Sequence, residues 1–176
     1  PQLGSQTGLI PQATLGWPTI RGVTYTGLIT SRYQLDFGQT TEQGILAINP
    51  PTVDGRPVYT NFVSKVDADG NEIAGIRLPP VAAPIATTTG WALRRAEYGE
   101  NEGCEGAGQQ IPFKATKAER IATNDPRLSL EERYHSHEGY VKAVTTSVQR
   151  LQQQRLLLPE DAQQYIHDAE VSAVLK

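Results

Sequence analysis

Methionine is absent from this chain, and cysteine occurs once, at Cys104. A single cysteine excludes an internal disulfide and leaves the compartment unread; it is a lone thiol or, in an oxidising compartment, a bridge to a second chain. A translated reading frame opens on Met, so a sequence starting at Pro1 is expected to be a processed chain or an excerpt of something longer. Proteolytic processing would suit a secreted or periplasmic protein. No run of eighteen apolar residues occurs, so no transmembrane helix is expected, and no N-terminal segment has the order of a signal peptide. Lys/Arg-rich runs are missing too. With a net charge of −3 and a pI near 5.6, nucleic acid is excluded as a partner, because a phosphate backbone needs a basic patch.

The common catalytic signatures are also missing. Gly-x-Ser-x-Gly, which holds a nucleophilic Ser out on a sharp turn, does not occur. His135, His137 and His167 lack the spacing of a zinc motif, and no Gly-rich phosphate loop precedes a helix start. No cofactor is expected.

What is present reads as an α+β chain in four parts. Residues 1–22 hold Gly and Pro too often for a periodic element and are expected to form an extended arm lying on something. Residues 23–90 form a small antiparallel β region, with strands expected at 23–30, 44–48, 57–66 and 72–78 and turn chemistry at 49–57. Residues 91–112 form an acidic, Gly-rich irregular loop, with Glu97, Glu100, Glu102 and Glu105 among Gly99, Gly103, Gly106 and Gly108. Residues 113–176 are helical. Thr116-x-x-Glu119 and Ser129-x-x-Glu132 match the capping box. Val141, Val144, Val148 and Leu151 then recur at helical spacing, and Pro159 restarts the pattern with Ala162, Tyr165, Ile166, Ala169 and Ala173 on one face. A short helix followed by a helical hairpin is expected.

"VDADGNEI" (66–73) raises the question of a calcium loop. Counted from Asp67, the loop places Glu72 where a glycine is required and Leu78 where the bidentate Glu should stand. Asp67-Ala-Asp-Gly70 suits a type I turn with Gly70 left-handed, so a surface hairpin is expected. A cation site at Asp67, Asp69 and Asn71 is the weaker alternative. In "RYHSHEGY" (133–140), His137 is the candidate proton shuttle and Tyr140 a substrate contact. Against this, Ser136 or Ser129 would simply cap a helix, leaving the histidines as interface groups. Trp91, beside Arg94 and Arg95, is a second candidate contact through stacking, or else a packing residue with snorkelling neighbours.

Five strings, "LGWPTIRGVTYTG" (15–27), "VSKVDADGNEIAGIRLPPVAAPIATTTGW" (63–91), "IPFKATKAER" (111–120), "DPRLSLEERYHSHEGYV" (125–141) and "LLLPEDA" (156–162), carry a resemblance. Over nearly its full length the chain resembles the C-terminal region of a bacterial group of "alpha/beta hydrolase domain" proteins. The resemblance implies that the nucleophile elbow and the catalytic His lie upstream of the matched region, so no catalytic residue is carried over. It implies the tail of a larger hydrolase, or a processed subunit, packing on a catalytic α/β-hydrolase domain or chain that supplies the Ser for ester or related acyl hydrolysis. The alternative is a non-catalytic assembly or binding module whose arm wraps a neighbouring subunit. On either reading an oligomer is expected.

Overall fold

The computed structural model describes residues 8–23, 33–57, 60–94, 96–99, 103–104 and 106–176. Strand β1 (Leu9–Pro11) opens the described chain, followed by β2 (Tyr33–Asp36), β3 (Thr52–Pro57) and β4 (Phe62–Ser64). A single helical turn, α1 (Pro79–Ala82), leads into β5 (Ala86–Thr89), β6 (Ala92–Leu93), β7 (Gly103–Cys104) and β8 (Gln109–Pro112). The rest is helical: α2 (Lys117–Ala122), α3 (Leu130–Tyr134), α4 (His137–Gln153) and α5 (Pro159–Val171). The strands pair in antiparallel twos, β1 with β4, β2 with β3, β5 with β8 and β6 with β7. The architecture is thus mixed, with small antiparallel sheets and a helical C-terminal region.

The helix starts follow from local chemistry. At α2, Thr116 Oγ1 accepts from the Glu119 amide at 3.2 Å, while Glu119 Oε2 accepts from the Thr116 amide at 3.2 Å. Ser129 and Glu132 repeat the exchange at α3, and Ser136 Oγ accepts from the Gly139 amide at α4. These bonds satisfy amides that a helix start leaves unpaired. Two short helices therefore precede the hairpin, where one was expected. The chain turns so tightly from α3 into α4 that a Cβ on Gly139 would lie 1.9 Å from the Tyr134 carbonyl oxygen.

The core sits in the hairpin. Val144, Val148 and Leu151 of α4 are buried, as are Ala162 and Ala169 of α5 and Ala83 just after α1. Tyr140, Val141, Tyr165 and Ile166 pack around this cluster. Each fully buried Val or Leu contributes roughly 1.5–3 kcal/mol. Ala173 does not belong to the face expected for it: α5 ends at Val171, Ser172 is extended, and Ala173 is exposed.

The β region departs from expectation in its details. Residues 24–32, where one strand was expected, lie outside the described residues. Residues 44–48 are not a strand. Gly44 takes a left-handed conformation after a 3-10 turn, the amides of Ala47 and Ile48 both donate to Phe37 O, and Ile45 and Leu46 are exposed. The turn-rich stretch 49–57 instead supplies β3, whose register against β2 shifts around Gly55, at φ +80°. The expected strand over 57–66 narrows to β4. That over 72–78 reduces to one bridge between Val66 and Glu72, because the chain bends at Gly75 (φ +77°). Among the described residues of 91–112 there is no α-helix; a 3-10 turn stands at Ala96–Tyr98. The stretch carries β6, β7 and β8, and β8 closes on β5 in register from Ala86 opposite Pro112 to Thr89 opposite Gln109.

Residues 8–22, the described part of the arm, lie on their own chain. β1 pairs with β4, Ile20 is buried, and the Trp17 ring lies 5.4 Å from that of Trp91.

Candidate functional site

The turn at 67–71 forms as its residues dictate, with Ala68 exposed, Asp67 and Asp69 half-buried, and Gly70 and Asn71 buried. The Asp67 amide donates to Asn71 O at 2.8 Å, the Gly70 amide to Asp67 O at 3.0 Å, and Gly70 is left-handed at φ +83°. Asp67 Oδ1 accepts from the amides of Asp69 and Asn71, the local bonding that favours Asp at a turn start. Asn71 is only 1 % exposed. Its side chain spans β5, donating to Ala86 O at 3.1 Å and accepting from the Thr88 amide at 2.8 Å. A Cβ on Gly70 would press on Thr87, Trp17 and Pro18. The expected hairpin turn keeps Ala68 and Glu72 exposed, while its Gly70–Asn71 end is driven against β5.

Two arginines hold the turn from outside. Arg77 donates to Asp67 Oδ2 at 2.7 Å and to Val81 O at 2.9 Å. Arg133, on α3, pairs with Asp69 and lies 4.3 Å from the centroid of the Phe113 ring. The cation alternative at Asp67, Asp69 and Asn71 finds its ligand groups already bound within the chain: one carboxylate to each arginine, and the amide to β5.

Behind the turn, Arg127 uses every donor of its guanidinium. Nε and one Nη bind the two oxygens of Asp125 at 2.9 and 2.7 Å. The other donors reach Thr87 Oγ1 and Ile111 O, each at 2.8 Å, and Pro112 O at 3.3 Å. Thr87 in turn donates to Asp69 O, so β5, β8 and the turn share one network. Both charges are nearly fully buried. Burial works to raise the Asp125 pKa, but the bonds from Arg127 outweigh it and leave the carboxyl below its ordinary range. Glu132 is held down to about 2, chiefly by the Arg120 side chain and then by the Ser129 amide.

Asp67, Asp69, Arg77, Arg133 and, from α4, Arg150 line a cleft of about 260 Å³ with a wall from Val81 and Pro84. Each carboxylate already faces a guanidinium, so the cleft presents positive charge and N–H donors rather than a free base. The sequence reading missed this cleft, although Arg77 and Arg133 lie inside strings it singled out. The signal was two acids and two arginines, far apart in the chain and equal in number.

The residues nominated from sequence do not converge. His137, the first residue of α4, points its ring at the end of α5: Nδ1 lies 2.8 Å from Val174 O and Nε2 3.1 Å from Glu170 O. It lines a shallow depression with Glu138, Val141, Lys142 and Glu170, which neither Trp91 nor Tyr140 lines. Tyr140 packs edge-on against Tyr134 with centroids 5.2 Å apart, and burial raises its pKa. The Tyr134 hydroxyl, its pKa also raised by burial, donates to Pro84 O. Trp91 packs against Trp17. Among the described residues no Ser or Cys side chain is hydrogen-bonded to a histidine, no group of three or more His, Cys, Asp and Glu side chains is placed to hold a metal ion, and no helix is long and apolar enough to cross a membrane.

The family model described as an alpha/beta hydrolase domain matches residues 37–167. No curated protein and no solved structure matches the chain. The family match takes in the turn, both arginines that hold it, the Arg127 network and most of the hairpin, and on this basis the chain belongs to the alpha/beta hydrolase domain family.

Proposed function

We propose that this chain is the non-nucleophilic, C-terminal part of an α/β-hydrolase-type enzyme, and that it completes or covers a catalytic domain whose Ser performs ester or related acyl hydrolysis. One observation carries the reading: the family match runs from 37 to 167, yet the full 176 residues contain no Gly-x-Ser-x-Gly. The nucleophile elbow projects from an α/β sheet, whereas the described sheets here are two-stranded and antiparallel. The catalytic Ser is therefore assigned to residues outside this sequence, on the same polypeptide or on a processed partner. Within this reading His137 clasps the hairpin, Trp91 and Tyr140 pack, and none of the three takes a chemical step.

The docking face is the apolar edge where α4 passes into α5. Leu78, Leu156 and Leu158 are exposed there beside Tyr165, around an open hollow of about 690 Å³. An α/β-hydrolase domain would bury these leucines. The arm gives no support to the alternative module, since its described part is spent on its own sheet.

The test is hydrolysis of a p-nitrophenyl ester by native material fractionated by size. Activity should travel with this chain only where the Gly-x-Ser-x-Gly polypeptide is also present, and the isolated 176 residues should be inactive. Turnover by the isolated chain would overturn the reading.

A further inference from the structure

His137 is the first residue of α4, and both nitrogens of its ring face backbone oxygens: Nδ1 lies 2.8 Å from Val174 O and Nε2 3.1 Å from Glu170 O. A carbonyl oxygen only accepts, so each contact is a hydrogen bond only when the ring nitrogen carries a proton. The imidazolium has two N–H groups and satisfies both oxygens. The neutral ring has one, and in either tautomer its bare nitrogen then faces an oxygen, which repels it. The charges around the ring balance. Glu138 and Lys142 of α4 and Glu170 of α5 border the same depression, and Lys176 Nζ donates to Glu170 O at 3.0 Å. Glu138 is held below its ordinary range chiefly by the Ser136 side chain, with a smaller contribution from the charge of His137. The start of α4 disfavours a cation and the end of α5 favours one, so the two helix dipoles oppose each other. The direct bonds to two oxygens decide.

We propose that His137 is a pH-sensitive latch, which as the imidazolium holds residues 172–176 against the start of α4 and loosens when the ring loses its second proton. Past the end of α5 at Val171 the chain bonds mainly to itself: Ser172 Oγ donates to Ala169 O at 2.8 Å, and the Lys176 amide to Ala173 O at 3.4 Å. Among the described residues no other side chain of α4 hydrogen-bonds this segment. The fold matches the charged ring, so the stabilisation is complete in acid. It is lost as pH rises through the histidine range, between about pH 5 and 8. That direction is opposite to the one set by Asp125 and Glu132, whose contributions are lost as pH falls. The latch does not depend on where the catalytic Ser lies.

The experiment is nitrogen NMR of the histidine rings of the native protein from about pH 5 to about pH 8. His135 and His167, both exposed, are the internal controls. In acid both ring N–H protons of His137 should be observed, with both nitrogens at protonated shifts, whereas those of the controls should be lost to exchange with water. As pH rises one of the two should disappear, and the backbone amides of residues 173–176 should shift in step with it. The same amides should stay still in His137→Gln, whose side chain does not titrate. The urea midpoint of the native protein should exceed that of His137→Gln most in acid, and the excess should fall to about half by about pH 8, when one of two bonds remains. A ring that keeps a single N–H throughout, amides at 173–176 that ignore its titration, or an excess that grows with pH would overturn the proposal. Should His137→Gln fail to fold, the ring and amide titrations of the native protein still decide.

Discussion

Arg133 and Asp69, 64 residues apart in the chain, meet where α3 closes over the turn at 67–71. The contact joins the two longest strings of the family resemblance into one unit. Phe113 stands between two guanidinium groups, with Arg133 at 4.3 Å and Arg127 at 5.1 Å from its centroid, so the pair is backed by an aromatic face. A double-mutant cycle of Asp69→Ala and Arg133→Ala should give a coupling of about 1–3 kcal/mol by urea unfolding. Additive single effects would show that the two groups do not sense each other.

Arg127 should be the least replaceable side chain among the described residues. Arg127→Ala leaves Asp125 charged and buried and strips Thr87, Ile111 and Pro112 of a donor, so a loss of about 3–5 kcal/mol is expected. Arg127→Lys should recover little, because an ammonium cannot reproduce the planar fork. Thermal unfolding of the two variants checks this; a wild-type melting point in Arg127→Lys would mean that charge alone matters.

Acid should weaken the fold in a defined window. Glu132 sits at about 2 against an ordinary 4.5, and Asp125 lies below its ordinary 3.8. Both folded-state values are depressed, so their stabilisation is complete above the ordinary values and is lost as pH falls through the folded ones. The urea midpoint should therefore drop between about pH 4.5 and 2, and Glu132→Gln should flatten that drop. A midpoint that rises over this range would contradict the assignment.

His137→Ala should affect stability before chemistry. The ring joins the start of α4 to carbonyls at and beyond the end of α5, where a hydrogen-bonding side chain satisfies groups the helix leaves open. Its removal is expected to cost about 1–2 kcal/mol, while the complete enzyme keeps its turnover below the lowered melting point. A large fall in kcat at unchanged stability would instead make His137 a catalytic residue.

The helical third was legible because its signals are local. Thr116 and Glu119, Ser129 and Glu132, and the Val144–Val148–Leu151 stripe each act within a turn or two, and each forms as its spacing demands. The strands were less legible for the opposite reason. β3 lies in a Pro- and Gly-bearing stretch that pairs only because a register shift absorbs Gly55, and β8 acquires its partner β5 across the nineteen residues between 89 and 109. The cleft was invisible in the sequence because it depends on which acid meets which arginine, a matter of tertiary placement. Asp67 and Asp69 read as turn residues, or more weakly as cation ligands; in the fold they face Arg77 and Arg133.

The most direct test of the account is fluorophosphonate labelling of the native material, followed by intact-mass analysis and peptide mapping. The account predicts an adduct on the Ser of a Gly-x-Ser-x-Gly peptide outside these 176 residues, in a species that contains or accompanies this chain. An adduct on a Ser of this chain, or ester hydrolysis by native material with no such peptide present, would contradict it.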